Sequence, residues 1–230
     1  MPALRIPAEV RLVVDKAPEQ ASLERCELCE AFAVVPAPVR TKLAPGIEIF
    51  SQGDQASMVY RVLSGAAVSY RLLKDGRRQV TEFHVAGDCL GLEASLEYRT
   101  TADTLTATTM AGVRRADLAR LAATDSGLAQ GLWQMSVRAF QRSEDHAMIL
   151  GRQGASERVA AFLLDYADRL GRVDTLDLPM TRQDMADHLG LTIHTVSRTL
   201  SLLQHQGLIE VRSSRHAKLL RRDLLEGIRA

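Results

Sequence analysis

Long apolar runs are missing from these 230 residues: every such run is short and broken by charge, whereas a membrane helix needs roughly 20 consecutive apolar residues. The first residues, MPALRIPAEVRLVVDKAPEQ, lack the apolar core and cleavage pattern of a secretory signal, so a cytoplasmic protein without a membrane partner is expected. Cysteine is scarce. Cys26, Cys29 and Cys89 are too few to staple a chain of this length. The spacing of Cys26-Glu-Leu-Cys29 suits a metal or a redox pair, while Cys89, inside GDCLG, reads as a small core residue. No nucleophile-base pair, phosphate loop or closed metal site stands at a recognisable spacing, which argues against an enzyme. Net charge is also nearly absent, at +1, and by itself says nothing about nucleic acid.

The distribution of charge says more. From Thr181 onward eight Lys and Arg (Arg182, Arg198, Arg212, Arg215, Lys218, Arg221, Arg222, Arg229) face five acids (Asp184, Asp187, Glu210, Asp223, Glu226), and four of the six His fall there too. With 46% hydrophobic and 25% charged residues the composition is that of a globular chain. Its length fits two domains of ~100–150 residues.

Residues 1–40 read as a loosely ordered arm with one short helix in ASLERCELCEAF. From about Lys42 the pattern is all-β: short alternating runs separated by turn residues, with Gly46, Gly53, Gly65, Gly76, Gly87 and Gly91 at the corners and the hairpin dipeptide Asp75-Gly76. Strands of this kind favour a jelly-roll barrel over residues 41–124. Residues 125–151 then carry one long helix, from about Ser126 to Leu150. Leu128, Leu132, Met135, Ala139, Arg142, His146 and Ile149 recur on it at alternating spacings of three and four. Such a stripe wants a partner, either the chain's own barrel or, preferred here, a parallel second copy; Leu128, Leu132, Met135, Ala139, His146 and Ile149 are the expected seam.

Residues 152–230 read as a winged helix-turn-helix. ASERVAAFLLDYADRL is amphipathic, with Val159, Phe162, Leu163 and Tyr166 on one side. Thr181 and Thr192 are N-caps of two helices joined at Leu189-Gly190-Leu191, and Gly207 ends the second. LIEVRSSRHAKLL then gives strand, basic turn and strand. On the second helix Val196, Leu200 and Leu203 form the core stripe, and His194, Ser197, Arg198 and Ser201 share another face. Arginine there can donate two parallel bonds to guanine O6 and N7, and serine can serve several bases, so Ile193, His194, Ser197 and Arg198 are the expected base contacts. Thr181, Arg182, Thr192, Arg212 and Arg215 are the expected phosphate contacts, setting register rather than sequence.

Three separated motifs, YRLLKDGRRQVTEFHVAGD, LGRQGASERVAAFLL and LPMTRQDMADHLGLTIHTVSRTL, make roughly residues 42–225 resemble the Crp-Fnr superfamily of bacterial transcription regulators, most closely its FixK-like branch. The resemblance implies an α+β architecture: a cyclic-nucleotide-binding-type β jelly-roll barrel, a long dimerisation helix and a winged helix-turn-helix. It also implies a homodimer acting on double-stranded DNA, with RNA polymerase met through the turn GRVDTLDLP, at residues 171–179.

Two departures from the family pattern bear on cofactors. Members that bind cyclic AMP carry a ribose-binding Glu and a phosphate-binding Arg-Ser pair; in GDCLGLEASLEYRTTADTL those places hold Leu92 and Thr101-Ala102, with Glu93 and Arg99 nearby, so cyclic AMP is not expected. The oxygen sensor of the superfamily holds a four-iron cluster on four cysteines. This chain has three, with Gly112 near the place of the distant ligand. No cofactor is expected; the alternatives are an iron-sulfur cluster or thiol switch at Cys26 and Cys29, or haem on His84 or His146.

Most relatives carry Glu at the position of His194, where its carboxylate accepts from cytosine N4. Imidazole can accept or donate but cannot reproduce that charge. The expectation is an activator of microaerobic, anaerobic or denitrification genes at a two-fold symmetric TTG-N8-CAA-like site. His194 would shift preference at the neighbouring pairs, in the direction of the nitric-oxide-responsive branch. The alternative is a small-molecule, nitric oxide, haem or redox sensor whose DNA binding depends on its effector.

Overall fold

A computed structural model of the chain describes residues 39–229 apart from Arg172. Cys26, Cys29 and the short helix expected around them lie outside the described residues. The described residues divide into two compact units: Val39–Arg71 with Glu82–Gln141, and Leu72–Thr81 with Arg142–Arg229. One long helix contributes to both units.

Eight strands precede the helices, the end of the fourth and the start of the fifth counting with the second unit: β1 Val39–Leu43, β2 Glu48–Phe50, β3 Met58–Ser64, β4 Ala67–Leu72, β5 Arg78–His84, β6 Cys89–Leu90, β7 Thr101–Thr104 and β8 Thr108–Arg114. They form two four-stranded sheets, β1-β8-β3-β6 and β2-β7-β4-β5, and the pairings β1 with β8, β3 with β8, β3 with β6, β2 with β7 and β4 with β7 are antiparallel. Consecutive strands thus alternate between sheets except β4 and β5, which share one and are joined through the Asp75-Gly76 turn, as the Gly-cornered pattern predicts for a jelly roll. Apolar residues of both sheets meet inside: Ile49, Val62, Ala67, Leu90, Ala102 and Met110 are all buried in one cluster. At the β3–β4 corner Gly65 has φ +84°, and a Cβ there would stand 2.4 Å from the Ala107 carbonyl oxygen. Only glycine fits that close approach.

Helix α1 (Arg115–Ala122) and helix α2 (Ser126–Gly151) follow β8. Asp125 caps α2 by accepting from the Leu128 amide at 2.9 Å. Leu128 is 3% exposed and packs with Val59, Ala111, Val113 and Leu118, with Leu132 against the same cluster.

The second unit holds helix α3 (Ala155–Arg169), strand β9 (Thr175–Asp177), helix α4 (Arg182–Leu189), helix α5 (Ile193–His205), strands β10 (Ile209–Ser213) and β11 (His216–Leu219), and helix α6 (Arg222–Arg229). The eight-residue α6, with Leu225 buried, is an element the sequence pattern did not reveal. Val159, Phe162, Leu163 and Tyr166 on α3 are buried, as their spacing predicts. The wing is a three-stranded antiparallel sheet in the order β10-β11-β9, so the short strand in VDTLDLPM completes it.

Candidate nucleic-acid interface

The turn between α4 and α5 is set by Gly190, at φ +63°, the left-handed cap that L side chains avoid. α4 begins with a capping box. The Thr181 hydroxyl oxygen accepts from the Asp184 amide at 3.1 Å, while Asp184 Oδ2 accepts from the Thr181 amide at 2.8 Å and from its hydroxyl at 2.7 Å. α5 begins at Thr192, whose hydroxyl oxygen accepts from the Thr195 amide at 3.1 Å. The two threonines expected at phosphates are therefore first of all caps: the Thr181 hydroxyl already gives its proton to Asp184 and takes one from an amide.

Helix α5 separates its faces cleanly. Val196, Thr199, Leu200 and Leu203 are buried, while Ile193, His194, Ser197, Arg198 and Ser201 are exposed. Ser201 hydrogen bonds back to the Ser197 carbonyl at 3.1 Å. A residue at each i, i+3, i+4 and i+7 position faces the same way, so an imidazole, a hydroxyl and a guanidinium stand together on one helix of 13 residues. Arg182, at the start of α4, is half-buried with its guanidinium 3.7 Å from the Met185 sulfur. Burial holds that guanidinium below the ordinary arginine value; an anion brought to it relieves the cost of desolvation.

On the wing, Arg212 pairs with Glu210 at 3.2 Å, and Arg215 is exposed in the turn between β10 and β11. The Arg215 carbonyl accepts from the Leu178 amide at 2.8 Å, tying the wing to the segment after β9. His216 Nδ1 lies 2.6 Å from Asp177.

The six residues expected on a dimer seam all lie on α2. Leu128 and Met135 are 3% and 7% exposed and Ile149 is buried, all within the chain itself; Leu132 joins the cluster around Leu128. Ala139 and His146 are partly covered, and the His146 ring stacks on His188. The exposed large apolar residues of α2 are Trp133 (70%), Phe140 (63%) and Met148 (69%), with Val137 half-exposed between them. At 100° per residue these four lie roughly opposite Leu128, Leu132 and Met135. The helix carries two stripes. Leu128 and Leu132 on one of them pack with residues of β3 and β8.

At the place of a cyclic-nucleotide pocket, the Thr101 hydroxyl accepts from the Gln52 amide at 3.0 Å, and Ala102 is fully buried. Glu93 accepts from the Arg99 amide at 3.1 Å, turning its carboxylate onto its own loop. Tyr98 stacks on Phe50 with centroids 3.9 Å apart, and its hydroxyl donates to the Met58 carbonyl at 2.7 Å. His84 is buried, its Nε2 lying 2.8 Å from the Ser69 hydroxyl. Gly112 pairs with Tyr60 across β3 and β8, and a Cβ on it would meet the Tyr60 ring and Met58 at 3.2 Å. A cysteine ligand there would need both to move. Cys89 is partly buried against the cluster that includes Leu128.

No helix among the described residues is long and apolar enough to cross a membrane. The Crp-like helix-turn-helix family matches residues 157–228, and the cyclic nucleotide-binding domain family matches residues 40–125. The nitrogen fixation regulation protein FixK of Rhizobium meliloti is 40% identical over 184 residues, covering 80% of this chain and 84% of that protein. FixK of Azorhizobium caulinodans is 43% identical over 183 residues, covering 77% and 74%. Transcriptional activatory protein AadR of Rhodopseudomonas palustris is 37% identical over 174 residues, covering 74% and 73%. The structure of FixK2 from Bradyrhizobium japonicum superposes with a TM-score of 0.80 at 39% identity, over 85% of this chain and 98% of that one. The chain belongs to the Crp-Fnr superfamily of transcription regulators, on its FixK-like branch, and is not an enzyme.

Proposed function

We propose that the chain is a sequence-specific DNA-binding activator that works as a homodimer on a two-fold symmetric TTG-N8-CAA-like site. The observation that carries this is the exposed face of α5, where His194, Ser197 and Arg198 stand together above a buried apolar face. Arg198 and Ser197 take the TTG core, and His194 takes the neighbouring pairs. Arg182, Arg212 and Arg215 meet phosphates. Thr181 and Thr192 serve the same contact chiefly by capping, so that the first amides of α4 and α5 stay ordered for a phosphate.

A second copy docks along Trp133, Val137, Phe140 and Met148, whose exposed aromatic and sulfur-bearing side chains are the kind that interface cores use. A palindromic site needs two recognition helices one DNA turn apart, about 34–36 Å, which a two-fold dimer supplies. RNA polymerase is met through the turn at residues 171–179. The targets are microaerobic, anaerobic or denitrification genes.

The protein works without a resident cofactor. Thr101 and Glu93 already bond within the chain, which leaves a cyclic phosphate without a guanidinium partner at the family's position; His84 and His146 are engaged with Ser69 and His188. The test is fluorescence anisotropy in air, without additives, on a symmetric TTG-N8-CAA duplex and one with both half-sites scrambled. Tight binding to the first alone is expected. Equal binding to both overturns sequence reading, and binding only after an effector is added overturns the cofactor-free account.

A further inference from the structure

The segment Leu72–Thr81 belongs to the same compact unit as the helix-turn-helix, and it carries a cation more than a hundred residues away in sequence from the carboxylates it meets. Arg78 Nη2 donates to Asp184 Oδ1, and Arg78 Nε donates to Asp187 Oδ2 at 2.9 Å. The two carboxylates lie three residues apart on α4, one turn of helix. Their side chains are 8% and 14% exposed, against 28% for Arg78, so the guanidinium bridges them in a largely desolvated place. Neighbouring atoms add to the clamp: Gln79 Nε2 donates to the Asp187 carbonyl at 2.8 Å, and the Val80 carbonyl accepts from His188 Nδ1 at 3.2 Å.

Asp184 divides its oxygens between two tasks. Oδ2 closes the capping box on Thr181, and Oδ1 takes Arg78. Asp187 does likewise, with Oδ1 accepting from Gln183 at 2.6 Å and Oδ2 from Arg78. Burial opposes charge on Asp184, and the Thr181 hydroxyl and amide with Arg78 overcome it, holding the carboxyl below its ordinary range. The cap at the start of α4 thus depends on a carboxylate whose other oxygen is fixed from β5.

We infer that Arg78 is a positioning residue for DNA recognition: by bridging Asp184 and Asp187 it holds the capped start of α4, beside Arg182, in the orientation that DNA meets. The inference rests on the DNA-binding reading above. Arg78 itself touches no phosphate in this account, and that separates it from the arginines of α4 and the wing. Losing a phosphate contact lowers the slope of log affinity against log salt by about one; losing a positioning residue weakens binding at an unchanged slope.

The experiment measures duplex affinity at several salt concentrations, thermal midpoint, and amide exchange over residues 181–185. It compares wild type, Arg78→Ala, Arg78→Lys, Arg78→Glu, and Arg78→Glu combined with Asp187→Arg. Well below its midpoint, Arg78→Ala is expected to bind about tenfold more weakly with the same salt slope and faster exchange at the start of α4. Arg78→Lys falls between, since one ammonium lacks the fork that spans two carboxylates. The double variant recovers affinity over Arg78→Glu. Unchanged affinity in Arg78→Ala, a slope reduced by about one, or a loss no greater than the unfolded fraction overturns the inference. A wild type that does not select the symmetric duplex overturns the DNA-binding reading instead, and unchanged amide exchange in Arg78→Ala then overturns the clamp independently.

Discussion

The imidazole of His146 lies flat on that of His188, with ring centroids 3.8 Å apart and planes 5° from parallel. His146 Nε2 donates to the His188 carbonyl at 2.8 Å, and His188 Nδ1 donates to the Val80 carbonyl at 3.2 Å. Carbonyls only accept, so both of those ring nitrogens carry a proton. Phe162 meets the His188 ring edge-on at 5.6 Å. Burial, with a smaller contribution from His146, lowers the His188 pKa to about 3.

A pH dependence follows. Between about pH 6.5 and about pH 3 the unfolded chain holds a proton on His188 that the folded chain does not, so stability rises with pH across that window and is fully present above it. Lowering pH from 7.5 to 5.5 should cost about 1.4 kcal/mol through this residue. Urea midpoints at the two pH values check it: His188→Leu should show a smaller difference between them than wild type, and an equal difference would remove His188 as the cause.

The two stripes of α2 make separable predictions. Trp133→Glu or Phe140→Glu should leave the thermal midpoint of the isolated subunit nearly unchanged and convert a dimer into a monomer in sedimentation equilibrium. Leu128→Ala empties a packed site among Val59, Val113 and Leu118 and should cost about 2–5 kcal/mol of stability. Dimerisation lost through Leu128 but retained in the Trp133 and Phe140 variants would return the seam to the inner stripe.

Two glycines with nearly the same backbone should differ in cost. Gly65 and Gly76 have φ of +84° and +82°, but a Cβ on Gly65 meets the Ala107 oxygen at 2.4 Å while one on Gly76 meets nothing within 4 Å. Gly76→Ala should lose about 1–2 kcal/mol from the left-handed backbone alone. Gly65→Ala should lose clearly more, because backbone must shift as well. Chemical denaturation of the two variants checks the order.

Much of this was legible because it is local. Asp75-Gly76 marks a hairpin, Thr181 and Thr192 mark caps, Gly190 marks a turn, and the period of α5 sorts Val196, Leu200 and Leu203 from His194, Ser197 and Arg198. Less legible is which side of α2 packs on the chain's own strands, because the helix is apolar on two sides, with Trp133, Val137 and Phe140 also spaced by four and three. The clamp of Arg78 on Asp184 and Asp187 spans 106 and 109 residues, and no spacing rule reaches that far. His188, one of the four histidines after Thr181, is buried.

Arg198 and Arg215 should fail differently. Arg198→Ala should cost about 1–3 kcal/mol on the preferred duplex and relax preference at one base pair, whereas Arg215→Ala should weaken all duplexes alike and lower the salt slope by about one. Anisotropy titrations over a salt series distinguish the two.

The most direct measurement of the central claim is a binding selection, in air and without ligand, on duplexes with a fixed TTG…CAA core and randomised neighbouring pairs, run on the wild type and on His194→Glu. The account predicts two-fold symmetric enrichment, with preferences beside the core that change by about 1–3 kcal/mol per affected pair when His194 becomes Glu. Enrichment without symmetry, or identical preferences in the two proteins, would contradict it.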